Sequence, residues 1–139
     1  VLKAWRAKGF FGTKIAAFAS VNMQDLAEVR AAIYLFGGIY CGVELPAAWQ
    51  RASRWSMPAD LRGDNAPGTW GGHCVTMPDY DPTGMKVVTW GGLTAVDAQA
   101  VRTYFSEGYV TIGKDWLGAD NKAPSGFDSA TLMADMAML

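Results

Sequence analysis

The hydrophobic positions of the chain change period several times, and each change predicts an element. Leu2-Lys3-Ala4-Trp5-Arg6-Ala7-Lys8-Gly9 reads as the end of a helix with a glycine stop. Phe10 to Ser20, with Ile15, Ala16, Ala17, Phe18 and Ala19 at its centre, reads as a strand. Asn22 is placed to cap a helix, with Asp25 in its first turn. Leu26, Val29, Ile33 and Phe36 then recur at helical spacing, and Gln24, Glu28 and Arg30 fall off that face. Gly37-Gly38 ends the helix. Ile39 to Leu45 alternates as a strand, with Ile39, Cys41 and Val43 on one side, and Pro46 stops it. Ala31 to Trp49 is apolar except for Glu44 and approaches the length of a membrane span. The glycine pair and Pro46 divide it, so it reads as a buried helix followed by a buried strand.

Between Ala47 and Thr69 the pattern dissolves. Residues 50–69 read as a long irregular loop, and loops of that length in a compact domain are often functional. Trp49, Trp55 and Trp70 sit in or beside it. They either pin the loop to the body, since tryptophan buries much of its area wherever it sits, or form a surface for a substrate or partner. An apolar run then opens at His73-Cys74-Val75, turns at Asp79-Tyr80-Asp81-Pro82-Thr83-Gly84 and returns through Met85-Lys86-Val87-Val88, the pattern of a β-hairpin. Thr94 is placed to cap a helix over Ala95 to Phe105, closed by Gly108. Tyr109 to Gly113 reads as a strand and Lys114 to Ser125 as a loop. Asp128 caps a last helix with Leu132, Met133, Met136 and Leu139 on one side. The order predicts an α+β fold with a mainly antiparallel sheet.

The chain has 139 residues, enough for a single domain spanning 1–139, and half of them are apolar. A net charge of −1 with scattered lysines and arginines gives no nucleic-acid stripe and no polybasic membrane patch. No signal peptide or transmembrane segment is legible, and the cellular location stays open. The abrupt helical start at Val1 leads to the expectation that this is the later portion of a longer polypeptide.

The chemistry narrows to few residues. Cys41 and Cys74 both lie in apolar strand-like runs, which reads as two buried free thiols or a bridge between neighbouring strands. With one histidine and two separated cysteines there is no convincing zinc site, and no cofactor is expected. His73 is the one histidine, and it follows Gly71-Gly72, which would let other backbone come close. Counting out from the hairpin turn sets Thr89 or Trp90 opposite His73. Asp79 and Asp81 lie toward the tip, roughly 20 Å from His73 at about 3.3 Å per residue, and suit a turn role. Cys74 neighbours His73 on the same strand, so the two side chains point to opposite faces.

Gly71-Gly72-His73-Cys74-Val75, followed by Pro78-Asp79-Tyr80-Asp81, resembles the histidine strand of papain-like cysteine peptidases. A group of such proteins in bacteria and their phages is similar also at Leu35-Phe36-Gly37-Gly38-Ile39-Tyr40, Val87-Val88-Thr89-Trp90-Gly91, Asp115-Trp116-Leu117 and Pro124-Ser125-Gly126-Phe127-Asp128. The resemblance implies the later, sheet-rich part of a papain-like fold. It makes His73 a latent or former general base and Thr89 its weak orienting residue. The sequence departs from the pattern in three ways. The family's nucleophilic cysteine sits in an N-terminal helix start far upstream of its histidine, and no such sequence surrounds Cys41 or Cys74. Val88 falls where the family has an asparagine, and a hydroxyl at Thr89 orients imidazole less strongly than an amide or carboxylate. Cys74 replaces the usual alanine. The resulting expectation is a peptidase-related chain inactive on its own, with an upstream segment, a second chain or another copy as partner. The alternative is a non-catalytic structural or binding component, for example of a phage particle or a bacterial surface assembly.

Overall fold

In the computed structural model, residues 1–113 are described, together with Trp116, Gly118, Lys122, Ala123, Gly126, Asp128, Ala130, Thr131 and Ala134. A seven-stranded sheet runs through them in the order β1-β7-β2-β4-β5-β6-β3. Its strands are β1 (Ile15–Ser20), β2 (Ile39–Leu45), β3 (Arg54–Trp55), β4 (Gly71–Asp81), β5 (Gly84–Thr89), β6 (Gly92–Asp97) and β7 (Phe105–Gly113). Every pairing is antiparallel except the short one between β3 and β6. The helices are α1 (Leu2–Lys8), α2 (Leu26–Phe36) and α3 (Ala98–Tyr104). The fold is therefore α+β with a mainly antiparallel sheet. No helix of the described residues is long and apolar enough to cross a membrane.

Strand alternation builds the core. Ile39, Cys41, Val43 and Leu45 of β2, Val75 and Met77 of β4, and Met85 and Val87 of β5 all point to one face and are buried. Val29 and Ile33 of α2 and Val101 and Tyr104 of α3 close over them. Helix α1 packs on β1. Gly9 ends α1, its N–H donating to the Trp5 carbonyl.

Several boundaries differ from the expectation. The strand expected from Phe10 begins at Ile15. Phe10 and Thr13 bond to each other across a tight turn, with Phe11 and Gly12 at positive φ. Helix α2 is capped by Asp25, which accepts from the N–H groups of Ala27 and Glu28. Asn22 instead turns the chain by accepting from the Gln24 N–H. The hairpin turn is shorter than expected: Asp79, Tyr80 and Asp81 belong to β4, and only Pro82 and Thr83 connect it to β5. Asp81 does serve the turn, accepting from the Thr83 and Gly84 N–H groups.

The largest correction lies at the helix expected over Ala95 to Phe105. Residues 92–97 form a strand, the helix covers Ala98–Tyr104, and Gly108 sits inside β7. Pairing with β5 overrides the helical propensity of this stretch. Gly84 faces Val96 so closely that a Cβ there would collide with the Val96 carbonyl. The long loop 50–69 is partly ordered into β3 and a single turn of 3₁₀ helix at Gly63–Asn65. Asp97 grips it, pairing with Arg54 at 2.6 Å and accepting from the Met57 N–H. At the far end, Asp128 accepts from the Thr131 N–H at 2.7 Å, the bond an N-cap makes. Leu132, Met133, Met136 and Leu139, expected on one side of that helix, lie outside the described residues, as does most of the expected loop from Lys114 to Ser125.

Candidate functional site

His73 is the third residue of β4, opposite Val43 of β2. Its side chain therefore leaves the sheet on the core face, at the end where the strands finish. The two glycines before it are not there for close approach, because a Cβ at Gly71 or Gly72 would meet nothing within 4 Å. Gly71 has a φ of 132°, a backbone conformation that suits glycine.

The next hairpin brings the partners. Thr89 ends β5 and pairs with Gly92, so Trp90 and Gly91 form a two-residue connection. Both have positive φ, 45° and 79°, as a turn matching the twist of an antiparallel pair requires. Tryptophan is an uncommon residue at positive φ. Here the conformation swings its ring back over β4. Trp90 stacks on His73 with centroids 5.0 Å apart and planes 4° from parallel. Thr89 is buried, and its hydroxyl lies 2.9 Å from His73 Nε2. The hydroxyl can accept from an Nε2–H or donate to a bare Nε2. Nδ1 has no hydrogen-bond partner among the described residues. When Thr89 accepts, Nδ1 keeps its lone pair and can take a proton.

The site extends through aromatic rings. Trp70 stacks on Trp90 at 5.2 Å, and Trp55 meets Trp90 edge-on at 6.1 Å. Trp55 lies parallel to Trp49 at 5.0 Å, and Trp49 rests on Tyr104 at 4.5 Å. Trp49 and Trp55 are buried and fasten the loop to the core, while Trp70 and Trp90 reach the surface. A shallow cavity of about 190 Å³ opens here, lined by Leu45, Trp70, Gly71, Gly72, His73 and Trp90.

The thiols lie elsewhere. Cys41 is fully buried, and burial, aided by the nearby Cys74, pushes its pKa up to about 12. Cys74, expected in the core, is exposed on the opposite face of the sheet. The reason is parity: Val75 and Met77 take the core side of β4, so Cys74 takes the other. Both cysteines are free. Gly42, not Cys41, is paired with Cys74, and the two thiols occupy opposite faces. Among the described residues no three His, Cys, Asp or Glu side chains gather as metal ligands. Asp79, at the hairpin's far end, pairs with Lys86 at 2.7 Å and takes no part in the site.

Periodicity predicted the strand bearing His73, and hairpin counting brought Thr89 and Trp90 near it but not in the right register. Thr76 pairs with Val88 past an irregularity between Thr76 and Asp79, so Thr89 falls opposite Val75 and reaches His73 diagonally. Trp70 could not be placed that way, because the irregular loop that carries it has no period to count. Compared with family models, curated proteins and solved structures, the chain gives no match.

Proposed function

We propose that this chain carries the general-base half of a papain-like, cysteine-peptidase-related site and is inactive toward peptides by itself. The observation that supports this most is the imidazole held from two directions. Thr89 engages Nε2, Trp90 covers one ring face, and Nδ1 is left for a partner. A nucleophile needs a base within hydrogen-bond reach and a third group that orients the base. The base and the orienting hydroxyl are present. No thiol is, since Cys41 is sealed in the core and Cys74 faces away. The sheet belongs to the later part of the papain-like fold in this reading, and an upstream segment or second chain supplies the thiol. Trp70 and Trp90 are exposed at the site, and apolar surface of this kind suits such a partner.

The absence of a thiol from the cleft, and a hydroxyl where the family has an amide, favour a second reading. In it the scaffold is a pseudo-peptidase that binds within a phage or bacterial surface assembly. One experiment separates the two. The chain alone is incubated with a broad peptide library, then again with a separately supplied segment that carries a cysteine at a helix start. Inactivity alone and turnover with the segment, reduced about 10²–10⁴-fold by His73→Ala, is the expected result. Turnover by the isolated chain that Cys41→Ser or Cys74→Ser abolishes overturns the proposal. Inactivity in both conditions leaves the binding scaffold.

A further inference from the structure

The opposite face of the sheet holds a larger cavity, of about 520 Å³, away from His73. That volume lies within the range of small-molecule sites. We propose that it is a cage for a small organic cation, of the quaternary ammonium class, walled by Phe18, Tyr40 and Tyr109 and closed by the carboxylate of Glu107.

Register puts the walls together. Tyr40 of β2 is directly paired with Tyr109 of β7, so both rings leave the same face. Phe18 of β1 joins them there and meets Tyr109 at 6.4 Å with planes 75° apart, two walls near a right angle. Ring faces attract cations through their quadrupole, and cages of two or three aromatics are how quaternary ammonium groups are recognised. Phe18 already receives one cation, since the Arg6 guanidinium lies 5.6 Å from its centroid.

The floor supplies the charge. A Cβ at Gly42 would stand 2.7 Å from Cγ and 3.0 Å from Oε1 of Glu107. The missing side chain is what lets Glu107 lie across β2 toward Tyr40. Among the described residues Glu107 forms no ion pair. Glu107 is exposed and sets an acidic group beside the rings, which favours a cationic guest over a neutral one, and a metal ion would find a single carboxylate where it needs several oxygen ligands. A quaternary ammonium satisfies both walls and floor. Val1, Leu2 and Lys3 at the start of α1 complete the lining, and the Lys3 ammonium would compete weakly or engage an anionic tail on the guest.

Cys74 lines the same cavity and is exposed, whereas Cys41 is buried, so the protein carries its own reporter. A methanethiosulfonate reagent transfers its organic thio group to Cys74. The thiolate attacks the sulfenyl sulfur, a disulfide forms, methanesulfinate leaves with the electron pair, and the thiol proton goes to buffer. The full chain is treated with the trimethylammonium-ethyl reagent and, separately, the neutral methyl reagent, with glutathione as the free-thiol reference. The expected result is a cationic-to-neutral rate ratio roughly tenfold above that of glutathione. Excess tetramethylammonium abolishes that preference, and so does Glu107→Gln, an exposed and nearly isosteric change whose fold is checked by circular dichroism. Tyr109→Leu weakens it. A ratio equal to that of glutathione, or one that tetramethylammonium leaves unchanged, overturns the cage. None of these readouts depends on His73, so the outcome is separable from the reading of that site.

Discussion

At the scale of single residues, His73 is a case of orientation without strong electrostatics. Its two restraints are a neutral hydroxyl and a stacked ring. Thr89→Val keeps the shape of the side chain and removes the hydrogen bond, a loss of about 1 kcal/mol. The fold should survive, and the His73 ring signals in the NMR spectrum should broaden or double as the imidazole gains orientations. Trp90→Asn makes the complementary change. Asparagine tolerates the positive φ of the turn better than tryptophan does, so the hairpin should persist while the His73 ring protons lose their ring-current shift. Unchanged His73 signals in both variants would mean that neither neighbour holds the ring. The neighbourhood of this pair was legible in the sequence, because a short hairpin limits which residues meet. Its register was not, because an irregularity between Thr76 and Asp79 shifts the pairing that counting gives. The exposure of Cys74 was legible too, had the alternation of Val75 and Met77 been counted through the strand instead of inferring burial from residue type.

At the scale of elements, the decisive contest is between local propensity and pairing. The stretch from Leu93 to Val96 could extend helix α3 toward its N-terminus, and it becomes strand β6 because β5 and β3 flank it on either side. Sequence period alone could not see those neighbours. Gly84 is where this pairing is tightest, and Gly84→Ala should destabilise the protein by about 1–3 kcal/mol, since backbone must move. Chemical denaturation measures it, and a loss well below that range would mean the hairpin end yields easily.

The junction of β6 and α3 makes stability depend on pH through Asp97. Burial pushes its carboxyl up, and the Arg54 side chain and the Met57 N–H more than offset this, leaving it below the ordinary carboxylate value. A depressed value means the contribution is present above about pH 4 and is lost as the pH falls through the lowered value. Both partners are partly exposed, so the effect is modest. Acid unfolding followed in the wild type and in Asp97→Asn should converge at low pH and separate near neutrality. Curves that stay parallel at every pH would remove Asp97 from the acid response.

At the scale of the whole molecule, the two faces of one sheet serve different ends. The core face carries His73 at its margin, and the opposite face carries the aromatic cavity. This partition follows from the period of two along β4, where His73 and Cys74 are consecutive. Light scattering on the isolated chain tests the proposed partner. Self-association that Trp70→Lys and Trp90→Asn together suppress is expected, and a monomer at every concentration would mean the exposed apolar residues around His73 do not join copies.

The order β1-β7-β2 also has a kinetic consequence. The last described strand lies between the first two, so neither β1 nor β2 completes its ladder until residues 105–113 have left the ribosome. Strands β4, β5 and β6 form a meander with short connections and need no such wait. Closing long loops is slower than closing short ones, so the hairpins that seat the imidazole should be born early and the sheet finished late. Pulsed hydrogen exchange during refolding should then protect Val87 and Val96 before Ala17 and Ala19. On the ribosome, the unfinished margin of β2 stays open for as long as translation takes to deliver its neighbour.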